Sequence, residues 1–278
     1  MSSDHLDLAA EFAEPTHDEW VDAVEKVLRG RSFESVLVSR TRDELDIQPL
    51  YTDADGAAAA PRGVVHPDRI RDGWDVRQRH DDPDPAAANR AIIEDLERGV
   101  TSIELAVPAA GWDHAALPTA LTGVLLDLAP VALAPHSDIA TARALAALAE
   151  ERGDAAVTES WLGLDPIGEV ARGGSTDGLA ERVGEVAAVA ADLATALPRA
   201  RTLTVDGTRY GDAGATEAQE LAWAIATGVA YLRALDVAGV PPEAGAATIG
   251  FRLSAGADQF ATIATMRVAR RLRARVLE

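Results

Sequence analysis

From Trp74 onward the chain alternates short apolar runs with longer stretches in which apolar residues recur every three or four positions. The runs WDVRQRH, SIELAV, PVALAPH, TLTVDG and TIGFRLS, with a weaker one at AAVTES, predict strands. DPAAANRAIIEDLERG, ATARALAALAEERG and ERVGEVAAVAADLATAL predict the helices between them, and ADQFATIATMRVARRLRARVLE a last helix. In the first of these Ala88, Ile92, Ile93 and Leu96 form the apolar stripe and Gly99 closes the C-terminus. Repeated strand-then-helix units predict an α/β fold, a TIM-type (β/α) barrel with about six of the usual eight units. Such an arc would expose two parallel edges, so the expectation is either a piece of a longer protein or completion by another chain.

Strand alternation assigns faces. If Ile103, Leu105 and Val107 meet the helices, Ser102, Glu104 and Ala106 face the barrel axis. Likewise Thr248, Gly250 and Arg252 point inward, opposite Ile249, Phe251 and Leu253. Glu104 and Arg252 would then either meet in the lumen and plug it, because buried charges must pair or cost several kcal/mol each, or one of them ends its strand in solvent.

Ahead of Trp74 the pattern changes. In FAEPTHDEWVDAVEKVLRG, Thr16 is placed to N-cap a helix carrying Asp18 and Glu19 in its first turn. Trp20, Val21, Val24, Val27 and Leu28 follow at helical spacing, and Gly30 is the stop. DADGAAAAPRGVVHPDRIRDG, further on, has too much Gly, Pro and charge for a long regular element. Residues 1–72 are expected to be an N-terminal arm for subunit association and residues 73–278 the partial barrel domain.

Composition narrows the partners. Against 26 basic residues stand 45 acidic ones, a formal charge of −19, which repels phosphate backbones and anionic membranes. Nucleic acid and membrane are therefore not expected, and a polyanionic ligand would need a local basic patch. The chain has no cysteine, so disulfides and thiolate metal sites are excluded. The start MSSDHLDLAAEF lacks a signal-peptide pattern and no uninterrupted apolar run reaches ~18 residues, so a cytoplasmic location is expected. Hydrophobic residues make up 47% but aromatics only 4%, which implies a core of Ala, Val and Leu.

Candidate chemistry gathers where barrel strands end. Arg209, Tyr210 and Asp212 follow the strand TLTVDG, and His136 ends PVALAPH with Ser137 and Asp138 behind it. Each group also has a plain reading, a loop-bracing ion pair or a capping residue. ARGGSTDGLAERVGEV has the glycines and hydroxyls of a phosphate cradle but no nucleotide-binding spacing, and an ordinary N-cap loop is favoured. Arg267, Arg270, Arg271, Arg273 and Arg275 could meet phosphates, although near a helix end they complement its dipole more simply.

The stretch TLTVDGTRYGDAGAT resembles the strand and loop of the methylmalonyl-CoA mutase family, whose catalytic loop reads roughly S-G-Y-H-M-Q-E-A-G-A-T. Gly207 and Ala213 to Thr216 set the frame and place Arg209 where the family histidine stands. A second resemblance, to R-P-W-T-I-R-Q, rests on Trp74, Val76, Arg77 and Gln78 and places Arg69 at a substrate-flanking tyrosine, with Asp72 and Gly73 at the Arg-Pro pair. Phe12, Trp20 and Pro49 to Thr52 are similar to landmarks of the family's arm. Gly163, Asp165, Pro166 and Gly168 match a G-x-D-P-[IL]-G segment, expected to be a structural turn after the fourth strand.

The resemblance implies the small, non-catalytic subunit of an adenosylcobalamin-dependent mutase, paired with a large catalytic subunit that interconverts methylmalonyl-CoA and succinyl-CoA. Arg69 and Arg209 are then degenerate positions. None of His5, His17, His66, His80, His114 and His136 lies in the family's D-x-H-x-x-G ligand motif, so no cofactor or metal is expected on this chain. The two rivals are a catalytic acyl-CoA mutase chain of altered specificity, with Arg209 gripping a different acyl group, and an unrelated barrel enzyme using His136, Asp206 or Asp212.

Overall fold

The computed structural model describes residues 15–56 and 74–278 of a chain that divides into two compact units, residues 1–59 and 60–278. Arg69, Phe12, His5 and His66 lie outside the described residues.

In the first unit, helix α1 (His17–Leu28) begins on a capping box in which Thr16 and Glu19 satisfy each other's backbone donors, and it ends at left-handed Arg29. A short α2 (Phe33–Leu37) sets Phe33 edge-on to Trp20, with ring centroids 6.0 Å apart. Strands β1 (Ser39–Arg40) and β2 (Asp46–Ile47) pair antiparallel. Leu28 is the buried side chain among the described residues here, whereas Leu45, Ile47, Leu50 and Tyr51 are exposed. The described residues of this unit form almost no core.

The second unit is one parallel sheet of six strands taken in chain order, β3 (Arg77–His80), β4 (Ser102–Leu105), β5 (Val131–Leu133), β6 (Trp161–Leu164), β7 (Arg201–Asp206) and β8 (Ile249–Arg252). Helices lie between and after them: α3 (Pro85–Glu97), α4 (Val107–Ala110), α5 (Leu117–Ala120), α6 (Ile139–Arg152), α7 (Pro166–Ala171), α8 (Leu179–Ala196), α9 (Thr208–Asp212), α10 (Glu217–Val237), α11 (Pro242–Thr248) and α12 (Gln259–Leu277). This is a partial TIM-type arrangement. Ile103, Leu105, Val131, Leu162, Leu203 and Val205 are buried together with helix residues such as Ile92, Leu145, Ala187 and Ala190. The many alanines let helices approach the sheet closely, which explains how a core with so few aromatics fills. No helix of the described residues is long and apolar enough to cross a membrane.

One strand lies elsewhere than the pattern suggests. AAVTES is a turn: Val157 and Thr158 both donate to the Asp154 carbonyl at 3.0 Å, and the strand is the following Trp161–Leu164. Leu162 and Leu164 are buried, whereas Val157 is exposed, so it is the later apolar run that has a core to face. Gly163, expected in a turn, is consequently a strand residue. Its φ is +71°, and a Cβ there would stand 2.5 Å from the Ala134 carbonyl oxygen.

Candidate functional site: the lumen and the C-terminal face

Pairing register brings the inward side chains together. Arg79 lies opposite Glu104, and Asp206 opposite Arg252. Across the axis, Glu104 Oε2 accepts from Arg252 at 2.8 Å while its Oε1 accepts from Arg79 at 3.2 Å. The Glu104 side chain is only 10% exposed, so one nearly buried carboxylate is held between two half-exposed guanidiniums. Trp161 projects into the same space. A Cβ on Gly250 would overlap its ring, and the Arg77 guanidinium sits 5.2 Å over the indole. Burial lowers the Arg77 pKa against the opposing influence of Asp75 and Glu104. What remains is a cavity of about 320 Å³ bordered by Arg77, Arg79, Glu104, Trp161, Thr204 and Arg252.

A second cluster forms at the strand ends. Asp165 follows β6 and N-caps α7, accepting from Gly168 N at 3.0 Å on Oδ1, which also accepts from the Tyr231 hydroxyl of α10. Its Oδ2 accepts from Asp206 N at 3.2 Å. Burial pushes the Asp165 carboxyl above its ordinary pKa despite these three donors, and burial followed by Asp165 itself pushes Tyr231 upward. Asp206, at the end of β7, accepts from Thr208 at 2.5 Å on Oδ1, and its Oδ2 is 3.3 Å from Arg209 Nε. Burial raises the Asp206 pKa, but the His136 ring 3.6 Å away, the hydrogen bond from Thr208 and the charge of Arg252 outweigh it and leave it lowered. His136 stands between the two acids.

Of the residues singled out in the sequence, His136, Asp206 and Arg209 come together, and so do Glu104 and Arg252. Tyr210 instead packs against Trp223 at 4.7 Å between ring centroids, and Asp212 is exposed at the end of α9. The glycine-rich loop before α8 enters the helix at left-handed Gly178 without a side-chain cap and is tied by Arg182, which donates to the Ser175 carbonyl at 2.7 Å. Arg273 lies 5.8 Å over Phe251 and donates to the Ala246 carbonyl at 2.6 Å, a packing role. Sequence reasoning took Asp165 for a turn residue and passed over Tyr231 and Trp161. A lone tyrosine in an alanine-rich helix and an Asp-Pro pair starting a helix were the signals available.

The lowered Asp206 pKa has a measurable sign. A carboxyl more acidic in the folded than in the unfolded chain adds stability above its unfolded value, about 3.9, and loses it as pH falls through the folded value. The melting-temperature gap between the wild-type chain and Asp206→Asn is therefore expected to be full near pH 6 and to shrink below about pH 4. A gap that widens toward acid pH would contradict the assignment.

The methylmalonyl-CoA mutase family model matches residues 113–278. The chain is 44% identical to the methylmalonyl-CoA mutase small subunit of Streptomyces virginiae, covering 100% of this chain and 47% of that protein. It is 37% identical to the small subunit from Propionibacterium freudenreichii subsp. shermanii, over 98% of this chain and 45% of that one. Similarity to the Streptomyces virginiae large subunit, 37% identity, is confined to 30% of this chain and 11% of that protein. The chain thus spans about half the length of the curated small subunits it matches.

Proposed function

This chain belongs to the methylmalonyl-CoA mutase family, and on that premise we propose that it is part of a small, non-catalytic subunit that supports a large catalytic subunit carrying adenosylcobalamin. The complex would interconvert methylmalonyl-CoA and succinyl-CoA as a cytoplasmic isomerase of propionate metabolism. The single observation that carries the non-catalytic part is the Arg79–Glu104–Arg252 bridge across the lumen, beside the Trp161 ring. To pass an acyl-CoA arm along this axis the bridge would have to open and leave the nearly buried Glu104 carboxylate unpaired beside the ligand, at a cost of several kcal/mol. We read the bridge as a barrel plug.

The C-terminal face supports the same reading. Arg209, at the position of the family histidine, is engaged by Asp206, and the hydroxyl of Thr208 is turned onto the same carboxylate. Such a loop braces itself and presents no general acid to a thioester. Nor do the described histidines suit a corrin: His80 and His136 are buried with ring nitrogens toward carboxylates, His114 lies in an exposed short turn, and His17 starts α1 against the Trp20 ring. Cobalamin chemistry, a radical rearrangement of the acyl skeleton, is assigned to the partner.

The first unit, with one buried residue and several exposed apolar ones among those described, is read as the arm that meets the large subunit in a heterodimer. Titration calorimetry of the chain with methylmalonyl-CoA tests the plug. No heat of binding is expected up to millimolar ligand, and Glu104→Ala combined with Trp161→Ala should restore measurable affinity. Micromolar binding to the unsubstituted chain would refute the plug.

A further inference from the structure

The lining of the lumen cavity divides in two by chemistry. Ala132, Leu133, Pro135, Trp161 and Phe251 are its apolar part, and Arg77, Arg79, Glu104, Thr204 and Arg252 its polar part. At about 320 Å³ the cavity stands at the small end of ligand sites, which run from about 300 to 1,000 Å³, and has the volume of about ten waters at ~30 Å³ each. A CoA ester is too large for it; a small acid is not. Arg79 and Arg252, both half-exposed, connect it to solvent.

The polar part offers more donors than acceptors. A guanidinium carries several N–H groups and accepts nothing. Arg79 and Arg252 each donate to Glu104, so both of its oxygens are already engaged. Arg77 donates to Ser102 at 2.9 Å and to Asp75 at 3.2 Å, and Arg79 also meets Asp81 at 3.5 Å. Asp75 and Asp81 do not line the cavity, so three guanidiniums face it against one carboxylate. Burial works against the Arg77 charge, a cost that an anion beside it would offset. Thr204 is the independent sign. It lies opposite Gly250 in β7, lines the cavity and is 3% exposed, and its hydroxyl has no hydrogen-bond partner among the described residues. Proteins seldom leave a buried hydroxyl unpaired, and a ligand oxygen would pair this one.

We propose that this cavity binds a small organic monocarboxylate. The carboxylate lies among the Arg77, Arg79 and Arg252 guanidiniums and accepts from the Thr204 hydroxyl, and the short aliphatic body is buried against Leu133, Trp161 and Phe251. The apolar lining selects a carboxylic acid over inorganic phosphate, which has no apolar surface to bury there. The inference rests on the lining of the cavity and stands apart from the subunit assignment: the Arg79–Glu104–Arg252 bridge stays closed with the acid in place.

Calorimetric titration of the whole chain with hexanoate, hexanamide and inorganic phosphate, at one pH and fixed ionic strength, is the test. Hexanoate is expected to bind at least about tenfold more tightly than the amide or phosphate, the scale of one charge-assisted hydrogen bond. Thr204→Val keeps the shape of the side chain and should weaken hexanoate about fivefold, the scale of one neutral hydrogen bond. Thr202→Val is the control: Thr202 is also buried in β7 with an unpaired hydroxyl, but it does not line the cavity, so hexanoate affinity should not change. Should Thr204→Val not fold, Arg77→Gln serves in its place, with a loss of at least about tenfold expected. No heat with hexanoate, equal affinity for acid and amide, phosphate bound more tightly than hexanoate, or equal effects of the two threonine substitutions would overturn the site. Failure of the plug would show separately, as binding of methylmalonyl-CoA to the unsubstituted chain.

Discussion

Replacing Asp165 by alanine is expected to lower the unfolding free energy by about 3 kcal/mol, enough to remove a large part of a domain's margin. The change removes the N-cap of α7, worth about 1 kcal/mol, and strands the Tyr231 hydroxyl and Asp206 N without an acceptor, each at about 1–3 kcal/mol. Part is returned, because burial has pushed this carboxyl above its ordinary pKa and holding it ionised near neutrality is itself unfavourable. The remainder stays large because three elements, α7, β7 and α10, lose their common tie. Urea melts would measure it, with Tyr231→Phe and the double variant closing a cycle whose coupling should exceed about 1 kcal/mol. A loss below about 1 kcal/mol would show that water replaces the carboxylate at little cost.

Gly163→Ala is expected to cost at least about 3 kcal/mol or to abolish folding. The new Cβ would lie 2.5 Å from the Ala134 carbonyl oxygen and 2.8 Å from that of Leu133, both backbone atoms of the adjacent strand region, at a φ of +71°. Neither neighbour can rotate away. Gly153→Ala is the control: its φ is +80°, but no atom lies within 4 Å of the added methyl, so only the conformational cost of about 1–2 kcal/mol applies. Similar losses at the two positions in thermal or urea unfolding would mean that the β6 region gives way and does not rigidly frame His136.

The alternation of apolar runs and helical stripes was enough to place β3, β4, β5, β7 and β8, because each run has a helix face to bury against and a turn signal at its end. It failed at β6. There the residues that looked more strand-like, Ala155 to Ser160, are spent on closing α6 through Asp154, and a run containing glycine takes the sheet position. Period-two reading puts Glu104 and Arg252 on one face, since register across a sheet follows from parity, and the two side chains are hydrogen-bonded. It could not say that Arg79 joins them or that Trp161 fills the remaining space, because those contacts depend on how far the arc curls. His136, Asp206 and Arg209 were visible as polar residues at strand ends. Their convergence on Asp165 and Tyr231 was not, since a residue 66 positions away in sequence leaves no local trace.

The central claim, that this chain supports catalysis without performing it, is tested most directly by turnover. Conversion of methylmalonyl-CoA to succinyl-CoA would be followed with saturating adenosylcobalamin for this chain alone, for a catalytic large subunit alone, and for the two together. No conversion by this chain alone is expected at concentrations where the mixture turns over readily. Cofactor-dependent conversion by the chain alone, abolished by Arg209→Ala, would contradict it and identify a catalytic mutase of altered site.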